Sequence, residues 1–264
     1  MKRKTALITG ATSGIGMACA RRFAVGGYNL IITGRSAGYA CHSIAIVVAD
    51  VQSLKAELEA GGVKVLALAF DVCNREATCD AVASIPDAFK PIDVLINNAG
   101  LARGLEPEYE GDFQDWDEMI DTNIKGLLNM TRFVVPEMVS LNHGHVINIG
   151  SVAGDAAYAG GGVYCATKAA VKALTDGLRI DVAHTSVRVT NLKPGLVETN
   201  FSNVRFHGDN ERADNVYKGI KPLVGDDIAD VAFYAASAPE HVQIAEVLVL
   251  ATHQANGTVV HRKS

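Results

Sequence analysis

Short apolar runs alternate with stretches of helical periodicity along the whole chain. Continuous runs of Val, Ile and Leu are typical of strands buried on both faces of a parallel sheet. Six such runs predict strands, at residues 5–9, 29–33, 64–70, 94–97, 145–149 and 187–192. Helix-period stretches include residues 16–25, 116–140 and 164–183, and a last strand-like run is mixed with a polar turn in residues 247–260. The alternation predicts an α/β fold, a single-domain Rossmann-like doubly wound parallel sheet flanked by helices, over residues 1–264.

The composition excludes several classes of protein. With 48% hydrophobic and 20% charged residues, the 264-residue chain is typical of globular proteins and unlike a disordered or coiled-coil chain. A net charge of −5 without long runs of like charge gives no basis for a nucleic-acid or membrane partner. The longest apolar run, residues 44–49, is far shorter than the roughly 20 residues of a membrane span. No secretory pattern follows the basic start, so a cytoplasmic protein is expected.

Neither the cysteines nor the histidines predict a metal site. The five Cys form no C-x-x-C pair and do not indicate a disulfide framework. His143 and His145 have H-x-H spacing, but two ligands without a nearby carboxylate make a poor site, and a turn into the fifth strand accounts for both. We therefore expect no bound metal.

Glycine, at 25 residues, is the outlier of the composition, and part of it lies in the turn TGATSGIG at residues 9–16. The turn follows the first predicted strand and precedes a helix. Its glycines permit a sharp bend and close approach to a pyrophosphate, which the N–H groups of the helix N-terminus then bind. The pattern predicts a dinucleotide site formed by Gly10, Thr12, Ser13, Gly14, Ile15 and Gly16.

Three further strand ends contribute to this predicted cofactor site. Arg35 follows the second strand, where an NAD-binding unit normally places an Asp or Glu, and an Arg there can pair with a 2′-phosphate. NADP is therefore favoured over NAD. Asp71 and Val72 close the third strand, where a carboxylate can accept from an adenine amine. The fourth strand ends in Asn98, Ala99 and Gly100, which are small enough for the chain to pass close to a ligand.

The most specific constellation is a serine, a tyrosine and a lysine. Tyr164 follows Ser151 by thirteen residues and precedes Lys168 by four. Residues i and i+4 share a helix face, and a fixed cation beside a phenol, whose free pKa is about 10, favours the phenolate. We expect Tyr164 to exchange the alcohol proton while hydride leaves for a nicotinamide, and Ser151 to hydrogen-bond the substrate oxygen. Asn123 lies in a helical stretch that is expected to hold a water near Lys168 as a proton relay.

These motifs resemble, in order and over the whole chain, those of the short-chain dehydrogenase/reductases: TGATSGIG, NNAG, DTNIKG, INIGS, YCATK and LKPGLVET. QDWDEMIDTN and NHGHVINIGS, with residues 159–162 and 201–206, are most similar to the NADP-dependent 3-hydroxy acid dehydrogenases of that family, which include serine and L-allo-threonine dehydrogenases and malonic semialdehyde reductases. The resemblance implies an NADP-linked homotetramer acting on small 3-hydroxy acids. It implies catalytic roles for Asn123, Ser151, Tyr164 and Lys168, the last two also contacting the cofactor. A loop over the nicotinamide is implied at residues 194–202, with Pro194, Gly195, Val197 and Thr199 as contacts.

Residues 36–49 depart from the family pattern. The family usually enters a charged, amphipathic helix directly after the position of Arg35, often with a second basic residue. Here the segment is apolar and non-periodic and supplies no such residue. An insertion, an oligomer contact and a local frame error in the gene are the alternatives.

A 3-hydroxy acid carries a carboxylate two carbons from its reacting carbinol, so its pocket needs a cation. Arg205 is the first choice, because its planar fork can hold a carboxylate in two hydrogen bonds. Lys193 and Arg103 are the alternatives, and a structural ion pair of Arg205 is equally open. The glycines at 160–162 are expected to keep the pocket floor free of side chains for a small substrate.

Two other functions stay open. The same catalytic residues would serve a reductase of another small carbonyl, such as a sulfonated aldehyde (sulfoacetaldehyde) or a 3-oxoacyl group on a carrier protein. A non-catalytic redox sensor that binds NADP(H) and a protein partner is the third hypothesis. Such sensors typically lose the tyrosine that this chain keeps as Tyr164.

Overall fold

One parallel sheet organises the molecule. The computed structural model describes residues 3–34 and 51–263. Within those ranges the strands are β1 Thr5–Ile8, β2 Asn29–Gly34, β3 Val65–Ala69, β4 Val94–Asn97, β5 Gly144–Ile149, β6 Val187–Pro194 and β7 Glu246–Val249. They form a seven-stranded sheet in the order β3-β2-β1-β4-β5-β6-β7, and every neighbouring pair is parallel. The α/β fold class is confirmed.

Helices cover both faces of the sheet. The described α-helices are α1 Gly14–Val25, α2 Val51–Ala60, α3 Arg75–Ala83, α4 Phe113–Ile120, α5 Leu127–Ser140, α6 Gly162–Asp181, α7 Phe201–Arg205, α8 Asn210–Tyr217 and α9 Gly225–Ser237. Alternate residues of a strand enter opposite cores. Ala6 and Ile8 of β1 pack with α1, α2 and α9, whereas Leu7 packs with α5. Burial on both faces explains why the strands read as uninterrupted apolar runs.

The strand order places a crevice at the middle of the sheet. The chain runs outward from β1 through β2 to β3, returns to β4 on the other side of β1, and continues outward to β7. Connections therefore leave the carboxyl ends of β1 and β4 in opposite directions, which opens the switch point where α/β sheets bind ligands. The predicted cofactor and catalytic segments all follow strand ends at this edge.

Each of the six predicted strands is present, within two residues at either end, and the run after residue 246 forms β7. The predicted helical stretch at 116–140 is helical throughout and contains one wider turn. The stretch divides into α4, a π-helix at Asp121–Gly126, and α5. Apolar periodicity does not reveal a single widened turn of this kind, which is frequent at functional sites. Among the described helices, none is both long and apolar enough to cross a bilayer.

Candidate active site

The turn between β1 and α1 is a backbone cradle. Gly10 and Gly14 have φ of +63° and +51°, a region that favours glycine. A Cβ on Gly16 would lie 2.3 Å from the carbonyl oxygen of Gly10, so only glycine fits where the helix crosses the turn. Ser13 caps α1 without a side-chain hydrogen bond, and the first turn carries no acidic residue. The N–H groups of this helix end thus remain available to a bound phosphate.

The end of β4 holds this turn in place. The side-chain amide of Asn98 donates to the carbonyl oxygens of Thr9 (2.9 Å) and Gly10 (3.0 Å). The Thr9 hydroxyl in return accepts from the backbone N–H groups of Asn98 (3.0 Å) and Ala99 (2.9 Å). The predicted wall at the fourth strand is therefore also a brace for the phosphate turn.

A cavity of about 620 Å³ extends from this turn along the carboxyl ends of the strands. It brings together most of the residues that the sequence predicted. The lining includes Gly10, Thr12, Ser13, Gly14, Ile15, Asp71, Val72, Asn98, Ala99, Gly100, Ser151, Tyr164, Lys168, Pro194, Gly195, Val197, Thr199 and Arg205. Gly16 lies beneath the turn and does not line the cavity. Arg35, on which the choice of NADP over NAD depended, lies outside the described residues.

The serine, tyrosine and lysine meet at the far side of this cavity. Ser151 follows β5 and begins a short 3-10 turn, in which its hydroxyl accepts from the N–H of Ala153 (3.1 Å). Tyr164 and Lys168 lie in the first two turns of α6, and both are buried. The Ser151 side chain lies near enough to the Tyr164 hydroxyl to lower the pKa of that phenol. The Lys168 ammonium donates to the carbonyl oxygen of Ile149 (3.0 Å) and lies 5.9 Å from the centre of the Tyr164 ring.

Burial governs the protonation of the tyrosine and the lysine. It raises the pKa of Tyr164 above its ordinary value, with a contribution from Tyr158, while Ser151 and Arg205 act in the opposite direction. Burial also lowers the pKa of Lys168 to about 8. The predicted effect of the cation, which is to favour the phenolate, stays a prediction, and burial acts against it by raising the pKa of Tyr164. At neutral pH Tyr164 therefore keeps its proton and can donate it.

Asn123 lies in the π-helix and uses its side chain for structure. Its amide nitrogen donates to the Leu101 carbonyl (2.8 Å) and the Thr167 hydroxyl (3.0 Å), and its oxygen accepts from the Leu101 N–H (2.9 Å). The side chain is not among the groups that line the cavity. It joins the segment after β4 to α6, close to Lys168. A water held by this segment stays a prediction.

Arg205, the last residue of α7, lies beside Tyr164. Its Nε donates to the Gly104 carbonyl (2.9 Å), and its Nη1 donates to the Tyr158 hydroxyl (2.9 Å). The guanidinium carbon lies 5.5 Å from the centre of the Tyr158 ring and 5.7 Å from that of Tyr164. Its Nη2 is buried with no hydrogen-bond partner among the described residues. An unpaired buried donor of a cation is costly, and an anion in the cavity would relieve that cost.

The two alternative cations are already paired. Lys193 is buried, and its ammonium contacts Asp155 at 2.9 Å and Glu246 at 2.6 Å. Arg103 lines the cavity, but its Nε donates to Glu118 at 2.9 Å. Of the three cations considered, Arg205 is the one with an unpaired buried donor.

The glycines at 160–162 serve packing, so their predicted role as an empty pocket floor is wrong. They do not line the large cavity. A Cβ on Gly160 would lie 2.0 Å from the Leu105 carbonyl oxygen, and one on Gly161 would lie 2.0 Å from the Tyr158 ring. Gly160 also has φ of +69°. The glycines let residues 158–162 fold tightly against the segment that follows β4.

Two residues of the site were absent from the sequence prediction. Tyr158 contacts Arg205, and its place two residues before a glycine run was the available sign. The Gln254 side chain accepts from the Leu196 N–H (2.9 Å) and packs against Gly195, where a Cβ would lie 2.2 Å from its Oε1. Gln254 thereby braces the loop after β6. It lies more than fifty residues further along the chain, and no local pattern reveals the contact.

The H-x-H pair has ordinary partners. His143 contacts Asp93 at 3.0 Å, and His145 contacts the Thr190 hydroxyl at 2.8 Å. Burial lowers the pKa of His145 to about 3, so its ring is neutral. Across the described residues, no group of three or more His, Cys, Asp or Glu side chains is arranged to hold a metal ion.

A glycine-rich phosphate turn at the switch point and a buried Ser–Tyr–Lys group across the same cavity define a nucleotide-linked oxidoreductase. The chain belongs to the short-chain dehydrogenase family, whose model matches residues 4–210. Over 258 residues it is 47% identical to the NADP-dependent 3-hydroxy acid dehydrogenase YdfG of Salmonella typhi, a match that covers 97% of this chain and 98% of that one. It is 42% identical over 261 residues to a serine 3-dehydrogenase of Agrobacterium fabrum, covering 98% and 99%.

A solved structure gives the same relation in three dimensions. The closed form of serine dehydrogenase complexed with NADP⁺ is similar to this chain with a TM-score of 0.89 at 43% identity. The similarity covers 98% of this chain and 100% of that one. The resemblance inferred from the sequence motifs is confirmed at the level of the family.

Proposed function

We propose that this chain is an NADP-dependent oxidoreductase that interconverts a small 3-hydroxy acid and its 3-oxo acid or semialdehyde by hydride transfer, with Tyr164 as acid and base. Serine, allo-threonine and 3-hydroxypropionate represent the substrate class. The observation that carries the proposal is the position of Arg205, whose unpaired Nη2 is buried in the cavity wall beside the catalytic tyrosine. The relatives named for NADP and for serine or 3-hydroxy acids support it.

The residues at the turn fit a dinucleotide. The space that a Cβ of Gly16 would fill is occupied by the Gly10 carbonyl, and the first N–H groups of α1 remain available for a pyrophosphate. Asp71 and Val72 would flank the adenine, and residues 194–199 would lie over the nicotinamide. Arg35 is proposed to pair with the 2′-phosphate. NADP, when bound, accepts or donates the hydride.

The side chains on the opposite side of the cavity from the turn carry out the proton transfer. In the reductive direction the Tyr164 phenol, protonated because of its burial, donates to the substrate oxygen, which Ser151 holds by a hydrogen bond. In the oxidative direction Tyr164 first releases its own proton, and the phenolate so formed takes the proton of the alcohol. The Lys168 ammonium, charged below about pH 8, stabilises the phenolate that forms in the reductive direction. Asn123 fixes the backbone beside Lys168, and the segment around it is proposed to complete the proton relay.

One small molecule can reach both the tyrosine and the arginine. A 3-hydroxy acid separates its carbinol from its carboxylate by two carbons, and the Arg205 guanidinium lies 5.7 Å from the centre of the Tyr164 ring. The carboxylate would accept from Arg205 while the carbinol oxygen contacts Ser151 and Tyr164. A charge-assisted hydrogen bond of this kind favours acids over neutral alcohols.

The test measures turnover of a panel of substrates through the reduction of NADP⁺. Serine, the threonine isomers, 3-hydroxypropionate, 3-hydroxyisobutyrate and isethionate are compared with neutral 1,3-propanediol. We expect kcat/KM for the best 3-hydroxy acid to exceed that for the diol by at least tenfold. A preference for the diol would reject the acid assignment.

A reductase of another small carbonyl is the second candidate. The unpaired nitrogen of Arg205 suits a sulfonate as well as a carboxylate, which supports a sulfoacetaldehyde-type substrate. A 3-oxoacyl substrate on a carrier protein is the other form of this alternative. Turnover of isethionate above that of every 3-hydroxy acid would favour the sulfonate version.

Assembly and location are part of the same proposal. We extend the proposal to a homotetramer in the cytoplasm, with the tetramer resting on family resemblance. The four described cysteines, Cys19, Cys73, Cys79 and Cys165, are free, which suits a reducing compartment.

A further inference from the structure

Arg205 is held by contacts that the proton-transfer residues do not explain. Tyr158 lines the cavity beside it and presents both a ring and a hydroxyl to the guanidinium. The hydroxyl accepts from Nη1 at 2.9 Å. With Nε bound to Gly104, two of the three guanidinium nitrogens are fixed by the protein. Nη2 is the third.

The backbone around Tyr158 is built to keep the ring in this position. The Gly161 N–H donates to the Tyr158 carbonyl (3.0 Å), and the ring lies where a Cβ of residue 161 would be. The guanidinium carbon also lies 5.7 Å from the centre of the Tyr164 ring, so Arg205 lies near two aromatic faces. The need for glycine at position 161 is thus explained by the placement of one tyrosine.

We propose that Tyr158 is a positioning residue that fixes the guanidinium of Arg205, leaves Nη2 for the substrate carboxylate, and thereby sets the preference for acids. The inference rests on the proposed function. A long arginine side chain otherwise samples many rotamers, and ordering it only when substrate arrives weakens binding. With its Nε and Nη1 already bonded, Arg205 is ordered before the substrate arrives, so binding of the carboxylate avoids that loss. The hydroxyl contributes to substrate binding and takes no part in hydride or proton transfer.

Tyr158→Phe tests the hydroxyl alone, because it keeps the ring that packs against Gly161. We expect KM for 3-hydroxypropionate to rise about 5- to 20-fold with kcat within about twofold, as for loss of a hydrogen bond to a charged group. KM for the neutral, nearly isosteric 3-hydroxypropionamide should stay within about twofold. The inhibition constant of propionate, which binds without reacting, should rise in parallel with the KM of the acid. Tyr28→Phe, a buried tyrosine at the opposite edge of the sheet, is the matched control and should change none of these values.

A double variant separates the possible outcomes. In an Arg205→Met background, Tyr158→Phe should cause no further rise in KM, since the residue it positions is gone. An equal rise in both backgrounds, or an equal effect on acid and amide, would overturn the positioning role. If the unmodified enzyme prefers the amide to the acid, the proposed function itself fails. If it prefers the acid and Tyr158→Phe is silent, the function stands and the inference fails.

Discussion

The two ends of the cavity are formed by different parts of the chain, backbone at one end and side chains at the other. The cofactor end consists mainly of backbone from one short stretch, residues 9–16, braced by Asn98. The reacting end consists of side chains that the fold collects from β5, α6 and α7, with Arg205 and Tyr158 meeting from positions 47 residues apart. Backbone geometry tolerates almost no substitution, whereas side chains can be exchanged singly. The comparison predicts that cofactor binding and chemistry can be damaged separately.

The largest expected effect is on chemistry without loss of cofactor binding. Tyr164→Phe removes the only atom with which this residue can exchange a proton, so kcat should fall at least about 10³-fold. The affinity for NADPH, measured by fluorescence titration, should stay within about threefold. Tyr109→Phe, at a tyrosine that is 85% exposed, is the control and should leave both values unchanged. Retention of a tenth of the rate would remove Tyr164 as the acid and base.

A buried charge at the reacting end should leave a trace in the pH dependence of stability. Burial lowers the pKa of Lys168 to about 8 from 10.5, so the unfolded chain binds this proton more tightly than the folded chain. The charged lysine therefore destabilises the fold by about 3 kcal/mol below pH 8, and this cost disappears as the pH rises from 8 to 10.5. Replacement by an uncharged side chain removes the pH-dependent term.

Urea unfolding of the unmodified chain and of Lys168→Met at pH 7, 9 and 10.5 measures that term. The stability of the variant relative to the unmodified chain should be highest at pH 7 and decrease by about 3 kcal/mol towards pH 10.5. Lys125→Met, at an exposed lysine, should give a nearly constant difference. A constant difference for Lys168→Met as well would show that burial does not perturb this lysine.

The smallest expected effect is on the affinity for the cofactor. It distinguishes a glycine of the turn from a glycine elsewhere in the chain. Gly16→Ala forces a Cβ to within 2.3 Å of the Gly10 carbonyl oxygen, so the turn must deform, and the Kd for NADPH should rise about 10- to 100-fold. Gly177→Ala, in α6 with nothing within 4 Å of the added atom, should leave Kd unchanged and raise stability by about 0.5–1 kcal/mol. Equal affinities for both variants would mean that the turn is not the phosphate site.

The difference between features formed by neighbouring residues and contacts between distant segments explains what the sequence could predict. The strands and the phosphate turn depend on residues that are neighbours in the chain, so periodicity and glycine spacing were enough. The Ser151–Tyr164–Lys168 group was also accessible, because Tyr164 and Lys168 share one helix face. The packing role of Gly161 and the contact of Gln254 with Leu196 depend on distant segments that meet only in the folded chain. The π-helix and the raised pKa of Tyr164 likewise come from tertiary packing and burial.

Lys193 links the last strand of the sheet to the segment that follows Ser151. Its ammonium joins Glu246 at the start of β7 to Asp155, four residues after Ser151. If β7 detached, Lys193 would lose one of its two counter-charges at the turn that orients Ser151. Opening of the sheet edge and loss of order at Ser151 should therefore be one cooperative event. Amide hydrogen exchange would register it as matched protection of β7 and of residues 151–155.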